Sequence, residues 1–501
     1  MSLRRHLPDE GATARLGVAL AAALRPGDLL TLSGDVGAGK STLARALLRA
    51  LHREPELEVP SPTFTLVQSY PDGRLPAIHA DLYRLSSPAE SDELGIEDAL
   101  GDGVAIVEWP ERGDLAGREV RITLRETDGG DARVAQIDPP EDALARFTRT
   151  LEVADFLLAH GRGDDPRMPL TADASTRRYE RVGVGADAPL LMDDPAVPDG
   201  PPVRGALPYS RIAHLAEDVG PFVAVAEGLR SAGFAAPAII GTDLERGLLL
   251  TEHLGDGSIL RADGSPDAER YGASIEALAA IHEHAWPRRL PIAEGREHIV
   301  PRFDRGAMMI EVELTLDWAF PRLVGRPAAE SEREAFHAAW NAAFDAIKPA
   351  ETSLVLRDVQ APNIVWREKE SGLARIGLID FQDAVFGPSS YDVASLAQDA
   401  RVTIPDALEA ELKGRYLAAR SSVDPHFETS YAVMAAQRGT KVFGLWVRLD
   451  QRDGKPEYLA HAPRTRTYLR RVLDHPALAD VRAWYDHHEL LERSEALAGA
   501  A

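Results

Sequence analysis

The sequence predicts an α/β chain of two modules, the second divided into a small and a large lobe. Three observations carry that expectation. A complete phosphate loop, Gly34-Asp35-Val36-Gly37-Ala38-Gly39-Lys40-Ser41, lies between a strand-like and a helix-like segment. A second charged loop, Arg357-Asp358-Val359-Gln360-Ala361-Pro362-Asn363, stands far down the chain between two strand-like segments. At 501 residues the chain is also too long for one ordinary core.

Composition narrows the class. With 45% hydrophobic and 27% charged residues the chain reads as soluble globular protein. It has no cysteine, which excludes disulfides, thiolate zinc sites and cysteine nucleophiles. No apolar run approaches the roughly 18 residues that span a bilayer, so no membrane partner is expected and the expected compartment is the cytoplasm. The short apolar stretch 16–24, behind Arg4 and Arg5, reads as an amphipathic first helix rather than a signal peptide. The net charge is −23 and both halves are acidic, which argues against a broad phosphate-backbone-binding face. Lysine occurs only six times, and Lys40 is the one lysine in residues 1–347. A chain that has nearly abandoned lysine and keeps one here needs that side chain chemically.

In the first module, 29–33 reads as a buried strand and 42–51 as a helix. Gly34, Gly37, Ala38 and Gly39 let successive backbone N–H groups turn inward around phosphate oxygens. The positive end of the helix favours the same anion. Lys40 then reaches the β- and γ-phosphates of ATP, and Ser41 can ligate Mg²⁺.

The residues that follow narrow the reading. They are Ser61-Pro62-Thr63-Phe64-Thr65-Leu66-Val67, His79-Ala80-Asp81-Leu82-Tyr83-Arg84-Leu85, Glu93-Leu94-Gly95-Ile96-Glu97, and Val104-Ala105-Ile106-Val107-Glu108-Trp109-Pro110-Glu111. This set, in this order, resembles the TsaE family, the ATPase subunits of bacterial tRNA threonylcarbamoyladenosine synthesis. The resemblance covers about residues 5–138. It implies that Thr42 contacts the nucleotide beside Lys40 and Ser41, and that Thr63 belongs to a switch-like segment sensing the γ-phosphate. It implies too that Asp81 and Glu108 serve Mg²⁺ and the attacking water. The implied activity is weak ATP hydrolysis in company with the proteins of the tRNA-modifying complex, with tRNA itself touched only indirectly. The bland readings are a turn cap for Asp81, a surface charge for Glu108, a turn hydroxyl for Thr63 and a structural hydrogen bond for His79.

The last strand of this module is expected at 133–137. Asp138-Pro139-Pro140 then punctuates the chain, and an apolar periodicity marks a helix over about 143–160. The expected division is 1–140 for the phosphate-loop module, 141–254 for a small lobe opened by that helix, and 255–501 for the large lobe. The helix reads equally well as a linker.

In the second module the informative pattern is R-D-x-x-x-x-N, a strand, and then Asp380-Phe381-Gln382-Asp383. This is a kinase catalytic loop with its metal-binding aspartate. Asp358 would accept the proton of an attacking hydroxyl, and Asn363 and Asp380 would hold Mg²⁺ against the phosphates. Asp383 reads either as a second metal contact or as a turn residue.

The wider context resembles the aminoglycoside-phosphotransferase-like kinases, and within them the anomeric kinases of N-acetylmuramate and N-acetylglucosamine in cell-wall recycling. The carrying segments are Ala172 to Val182, Leu249-Leu250-Thr251-Glu252-His253-Leu254, Gly387-Pro388, Tyr391-Asp392, and Arg448 to Lys455. The resemblance implies a small sugar acceptor. Two family histidines are replaced, by Leu356 and Gln360. No lysine stands between 41 and 347, so the usual small-lobe lysine is missing. Arg177, Arg178 or Arg181 are the candidate substitutes, with Ser175 and Thr176 as a phosphate-capping loop; Ser175 and Arg178 are the cofactor-binding expectations. The rival readings are a kinase for another small alcohol (an aminoglycoside, choline or another sugar) and a weak kinase-like module that scaffolds the ATPase. A third has the first module acting only as a nucleotide-gated switch.

Overall fold

The computed structural model describes residues 2–127, 132–170, 177–196, 200–292 and 295–499. It contains two compact units, Met1–Pro166 and Arg167–Ala501.

The first unit is a seven-stranded sheet in the order Leu3–Leu7, Arg133–Asp138, Arg118–Glu126, Asp28–Ser33, Val104–Glu108, Ala77–Asp81, Val67–Tyr70. The central strands run parallel, and the outer strands at both edges are antiparallel. Central parallel strands are covered on both faces and so read as continuous apolar runs. Val104–Glu108 is buried at every residue. On one face Leu30, Leu32, Ile106, Val120 and Ile122 meet helices Glu10–Ala23 and Lys40–His52. On the other, Leu29, Ile78, Ala80, Ala105 and Val107 form a smaller cluster.

The boundary expected at residue 140 is corrected by this core. Helix Glu141–Ala159 belongs to the first unit, where Ala143, Phe147 and Leu151 join the buried cluster. Arg146 also closes a two-pronged pair on the fully buried Asp28, with both N–O distances 2.7 Å. Pro140 is the residue just before that helix, not a linker signal; a proline there costs the helix no hydrogen bond.

The second unit opens with a five-stranded antiparallel sheet in the order Ile239–Asp243, Leu248–Thr251, Leu190–Asp193, Arg178–Val182, Arg167–Leu170, backed by helix Gly220–Ser231. The remainder is mainly helical. Its spine is the 27-residue helix Phe427–Asp453. That helix crosses Arg305–Leu314 so closely that a Cβ on Gly444 would stand 2.2 Å from the Leu314 carbonyl carbon. Only glycine permits the approach. Two short ribbons carry the charged loop: Thr352–Val355 pairs with Val385–Pro388, and Ile364–Trp366 pairs with Ile376–Leu378. Among the described residues no helix is long and apolar enough to cross a membrane.

Candidate nucleotide and phosphotransfer sites

In the first unit, strand Asp28–Ser33 delivers the chain into the phosphate loop, and Lys40 opens the next helix. Gly34, Gly37 and Gly39 all take left-handed φ values, which glycine alone adopts without strain. A Cβ on Gly34 would lie 2.3 Å from the Leu124 carbonyl oxygen. Lys40 is buried. Its Nζ donates to the carbonyl oxygens of Gly34 (2.7 Å) and Asp35 (2.9 Å) and lies 3.9 Å from the centroid of the Trp109 ring. Burial pushes its ammonium pKa down, against the opposing pull of Glu108, Glu111, Asp81 and Asp35. The loop thus holds a cation on neutral oxygens and an aromatic face.

Parallel pairing places Asp81 directly opposite Glu108, so both carboxylates emerge at the same end of neighbouring strands. Both are buried. Ser41 Oγ donates to Glu108 (3.0 Å), whose other oxygen is hydrogen-bonded to His79 Nε2 (3.0 Å). Thr63 Oγ1 donates to Asp81 (2.9 Å), and the Tyr83 backbone N–H donates to its second oxygen (2.9 Å). The fold therefore brings Lys40, Ser41, Thr63, Asp81 and Glu108 into one oxygen-lined cradle. Hard oxygen donors of this kind suit Mg²⁺ bound jointly with phosphates. Thr42 stands apart: its hydroxyl is 3.3 Å from Glu10 on the preceding helix. Trp109 is held at φ 58°, a conformation that costs a non-glycine residue about 1–3 kcal/mol and that sets its ring under Lys40.

Arg133 is a residue that motif reading passes over. It extends from the strand beside the loop and donates to the Gly37 carbonyl (3.2 Å), with its Nε 3.5 Å from where a Gly39 Cβ would lie. Its strand position gave no local signal.

In the second unit, Arg357 and Asp380 both have left-handed φ values, 70° and 60°. Asn363 Nδ2 donates to the Asp358 carbonyl (2.8 Å) and to Asp380 Oδ2 (3.3 Å), so the 357–363 loop and Asp380 are tied together. Gln382 donates to Asp380 Oδ1 (3.0 Å). The Asp358 carboxylate accepts no hydrogen bond from any described residue. Two buried aspartates fix the loop from beneath. Asp392 accepts the N–H groups of Leu356 (2.7 Å) and Arg357 (2.9 Å), and Asp399 accepts that of Ala361 (2.7 Å).

Of the candidate small-lobe cations, Arg177 is the one that reaches Asp380. It pairs with Asp380 (2.7 Å) and Asp194 (3.1 Å). Burial would lower its pKa, but Asp380, Tyr179 and Asp194 outweigh burial and raise it. Arg178, the expected nucleotide contact, is exposed on the strand, where the chain alternates sides. Ser175 and Thr176 lie outside the described residues. Asp383 accepts the Ala216 N–H (2.6 Å), and burial raises its pKa, so the structure gives it a structural hydrogen bond.

Beneath the loop lies a cluster that the motifs do not announce. Arg357 and Lys441 (2.7 Å) both pair with the fully buried Glu311, and Gln437 donates to its other oxygen (2.9 Å). Burial alone would push Glu311 up, yet the two cations hold it at about 2.

Comparison with known proteins decides what these sites belong to. Residues 7–134 match the family model "Threonylcarbamoyl adenosine biosynthesis protein TsaE", and residues 166–426 match "Phosphotransferase enzyme family". An N-acetylmuramate/N-acetylglucosamine kinase of Caulobacter vibrioides is 36% identical over 353 residues, 68% of this chain and 96% of the relative. The same-named kinase of Pseudomonas putida is 31% identical over 341 residues, 66% of this chain and 91% of its own. The TsaE protein of Haemophilus influenzae is 33% identical over 157 residues, 29% of this chain and 98% of its own. The chain belongs to both families. It fuses a TsaE unit to a phosphotransferase-family kinase and carries two ATP-dependent functions, one in each unit. The phosphate loop lies inside the TsaE match, and Asp358, Asn363 and Asp380 lie inside the phosphotransferase match.

Proposed function

We propose that the second unit transfers the γ-phosphoryl group of ATP to the anomeric hydroxyl of N-acetylmuramate or N-acetylglucosamine, and that the first unit hydrolyses ATP in support of tRNA threonylcarbamoylation by partner proteins. The carrying observation for the kinase is the linked set Asp358, Asn363, Asp380 and Arg177, in a chain that spans nearly the whole of its N-acetylmuramate/N-acetylglucosamine kinase relative. Asp358, its carboxylate turned to no internal donor, orients the sugar hydroxyl and takes its proton. The acceptor oxygen forms a bond to the γ-phosphorus as the bond to the bridging oxygen of ADP breaks. Asn363 and Asp380 would hold Mg²⁺, which neutralises phosphate charge when bound. Arg177 supplies the small-lobe positive charge once Asp380 turns to the metal. Most of the rate comes from positioning and charge compensation.

In the first unit Lys40 and the loop N–H groups bind the β- and γ-phosphates, Ser41 and Asp81 would hold Mg²⁺, and Glu108 orients water. The TsaE proteins it resembles are named for the tRNA modification, and the strongly acidic charge suits a unit that leaves RNA contact to its partners.

The test is incubation of the full chain with ATP and Mg²⁺ across a sugar and amino-alcohol panel, with product read by phosphorus NMR. Sugar 1-phosphate from the two N-acetyl sugars is expected. Phosphorylation confined to choline or an aminoglycoside would overturn the sugar assignment, and no product from any acceptor would leave a scaffolding module.

A further inference from the structure

The helix Phe427–Asp453 turns one polar stripe toward the catalytic loop. Gln437, Lys441 and Arg448 fall within about 40° of one another at 100° per residue. The first two are committed to Glu311, which also holds Arg357 beside Asp358. Arg448 sits two turns further along, about 10 Å at 1.5 Å per residue. Its guanidinium lies 5.3 Å from the Tyr209 ring centroid. Tyr209 opens the short helix Tyr209–Ala213, whose last carbonyl accepts from Arg357 (2.8 Å). Arg448 is therefore placed along one packed line that begins at the catalytic loop.

Several buried or half-buried arginines of this unit have carboxylate partners. Arg167 has Glu180, Arg177 has Asp194 and Asp380, and Arg357 has Glu311. Arg448 is half-buried and makes no hydrogen bond or ion pair with any described residue. Burial, and then the like charge of Arg452, lower its pKa, against the weaker opposing pull of Tyr209 and Asp453. A guanidinium partly withdrawn from water with no hydrogen-bonded anion carries a cost, so an anion from outside the chain is a natural complement. The flat fork matches a carboxylate in two-point contact.

We propose that Arg448 is a specificity-determining residue that binds a carboxylate on the acceptor. This rests on the sugar-kinase reading above and deepens it. Of the two proposed acceptors only N-acetylmuramate carries a carboxylate, on the lactyl arm of its ring. This requires that the arm reach Arg448 when the anomeric hydroxyl is at Asp358. N-acetylglucosamine has only a hydroxyl there and leaves the guanidinium unpaired.

The test is steady-state kinetics of the full chain on both sugars, for the wild type, Arg448→Gln and Arg448→Lys. Arg448→Gln is expected to raise KM for N-acetylmuramate about tenfold to hundredfold, the range of a charge-assisted contact. Its kcat on that sugar, and KM for N-acetylglucosamine, should move by less than about threefold. Arg448→Lys should recover part of the lost affinity, since an ammonium keeps the charge but not the fork. Turnover of N-acetylglucosamine serves as the measure that each variant is folded. Equal effects on both sugars, or none on either, would overturn the proposal. A wild-type chain that phosphorylates neither sugar would instead bring down the sugar-kinase reading, and this inference with it.

Discussion

In the first unit the phosphate cradle is backbone, one contiguous loop from Gly34 to Gly39 with Lys40 at its end. In the second it is assembled from side chains, and the pair Arg177–Asp380 spans 203 positions. Both sites park their cation on the protein itself. Lys40 rests on neutral carbonyl oxygens, and burial lowers its pKa. Arg177 rests on carboxylates, which raise its pKa. On the proposed function the difference sets what ATP would do on arrival. The first site would need only a lysine swung from weak acceptors to phosphate. The second would have to pull a guanidinium from Asp380 before that carboxylate could take a metal, so it would be the site that reorganises.

The sharpest break is a cross-comparison of single variants. Asp358→Ala is expected to reduce phosphotransfer by about 10²–10⁴, the usual worth of a positioned base, and to leave sugar-independent ATP hydrolysis in place. Lys40→Ala should do the reverse. Measuring both activities on each preparation checks this, and either variant silencing both would mean the sites are not separate. A smaller effect follows from Arg177. Arg177→Ala should lower phosphotransfer about tenfold to hundredfold, mainly through KM for ATP, with partial recovery in Arg177→Lys. No change in the alanine variant would show that the second site works without a small-lobe cation.

The smallest expected effect separates the units by pH. Glu311 has its folded pKa depressed from 4.5 to about 2. A depressed carboxylate contributes stability above its unfolded pKa and loses it as pH falls toward the folded value. The second unit should therefore weaken between about pH 4.5 and 2, and Glu311→Gln should flatten that dependence. Six of the seven tryptophans lie in this unit, so their emission during acid-variable denaturation reports it. An unchanged slope in the variant would refute the assignment.

What could be read from the sequence follows the same divide. The loop 34–41 is contiguous, so its strand, turn and helix were all readable, and helix Lys40–His52 runs two residues beyond the expected start and one beyond the expected end. The grouping of Asp358, Asn363 and Asp380 was readable by spacing because a short ribbon fixes their separation, and Asn363 hydrogen-bonds to both aspartates. That Arg177 and not Arg178 pairs with Asp380 was not legible, because adjacent residues of an extended segment point to opposite sides. The helix Glu141–Ala159 was assigned to the wrong unit because its buried partner, Asp28, is 118 positions away. Lys441 was within reach. The scarcity argument that singled out Lys40 applies equally to a lysine buried on Glu311, one of six in the chain.

The family match of the second unit ends at residue 426, and the spine helix begins at Phe427. The proposed ATP-handling residues Arg177, Asp358, Asn363 and Asp380 lie inside that match, and the proposed carboxylate contact Arg448 rides on the helix that Gly444 seats against Arg305–Leu314. On those two proposals, a change of acceptor need alter only one helical face and leaves the phosphate site as it is.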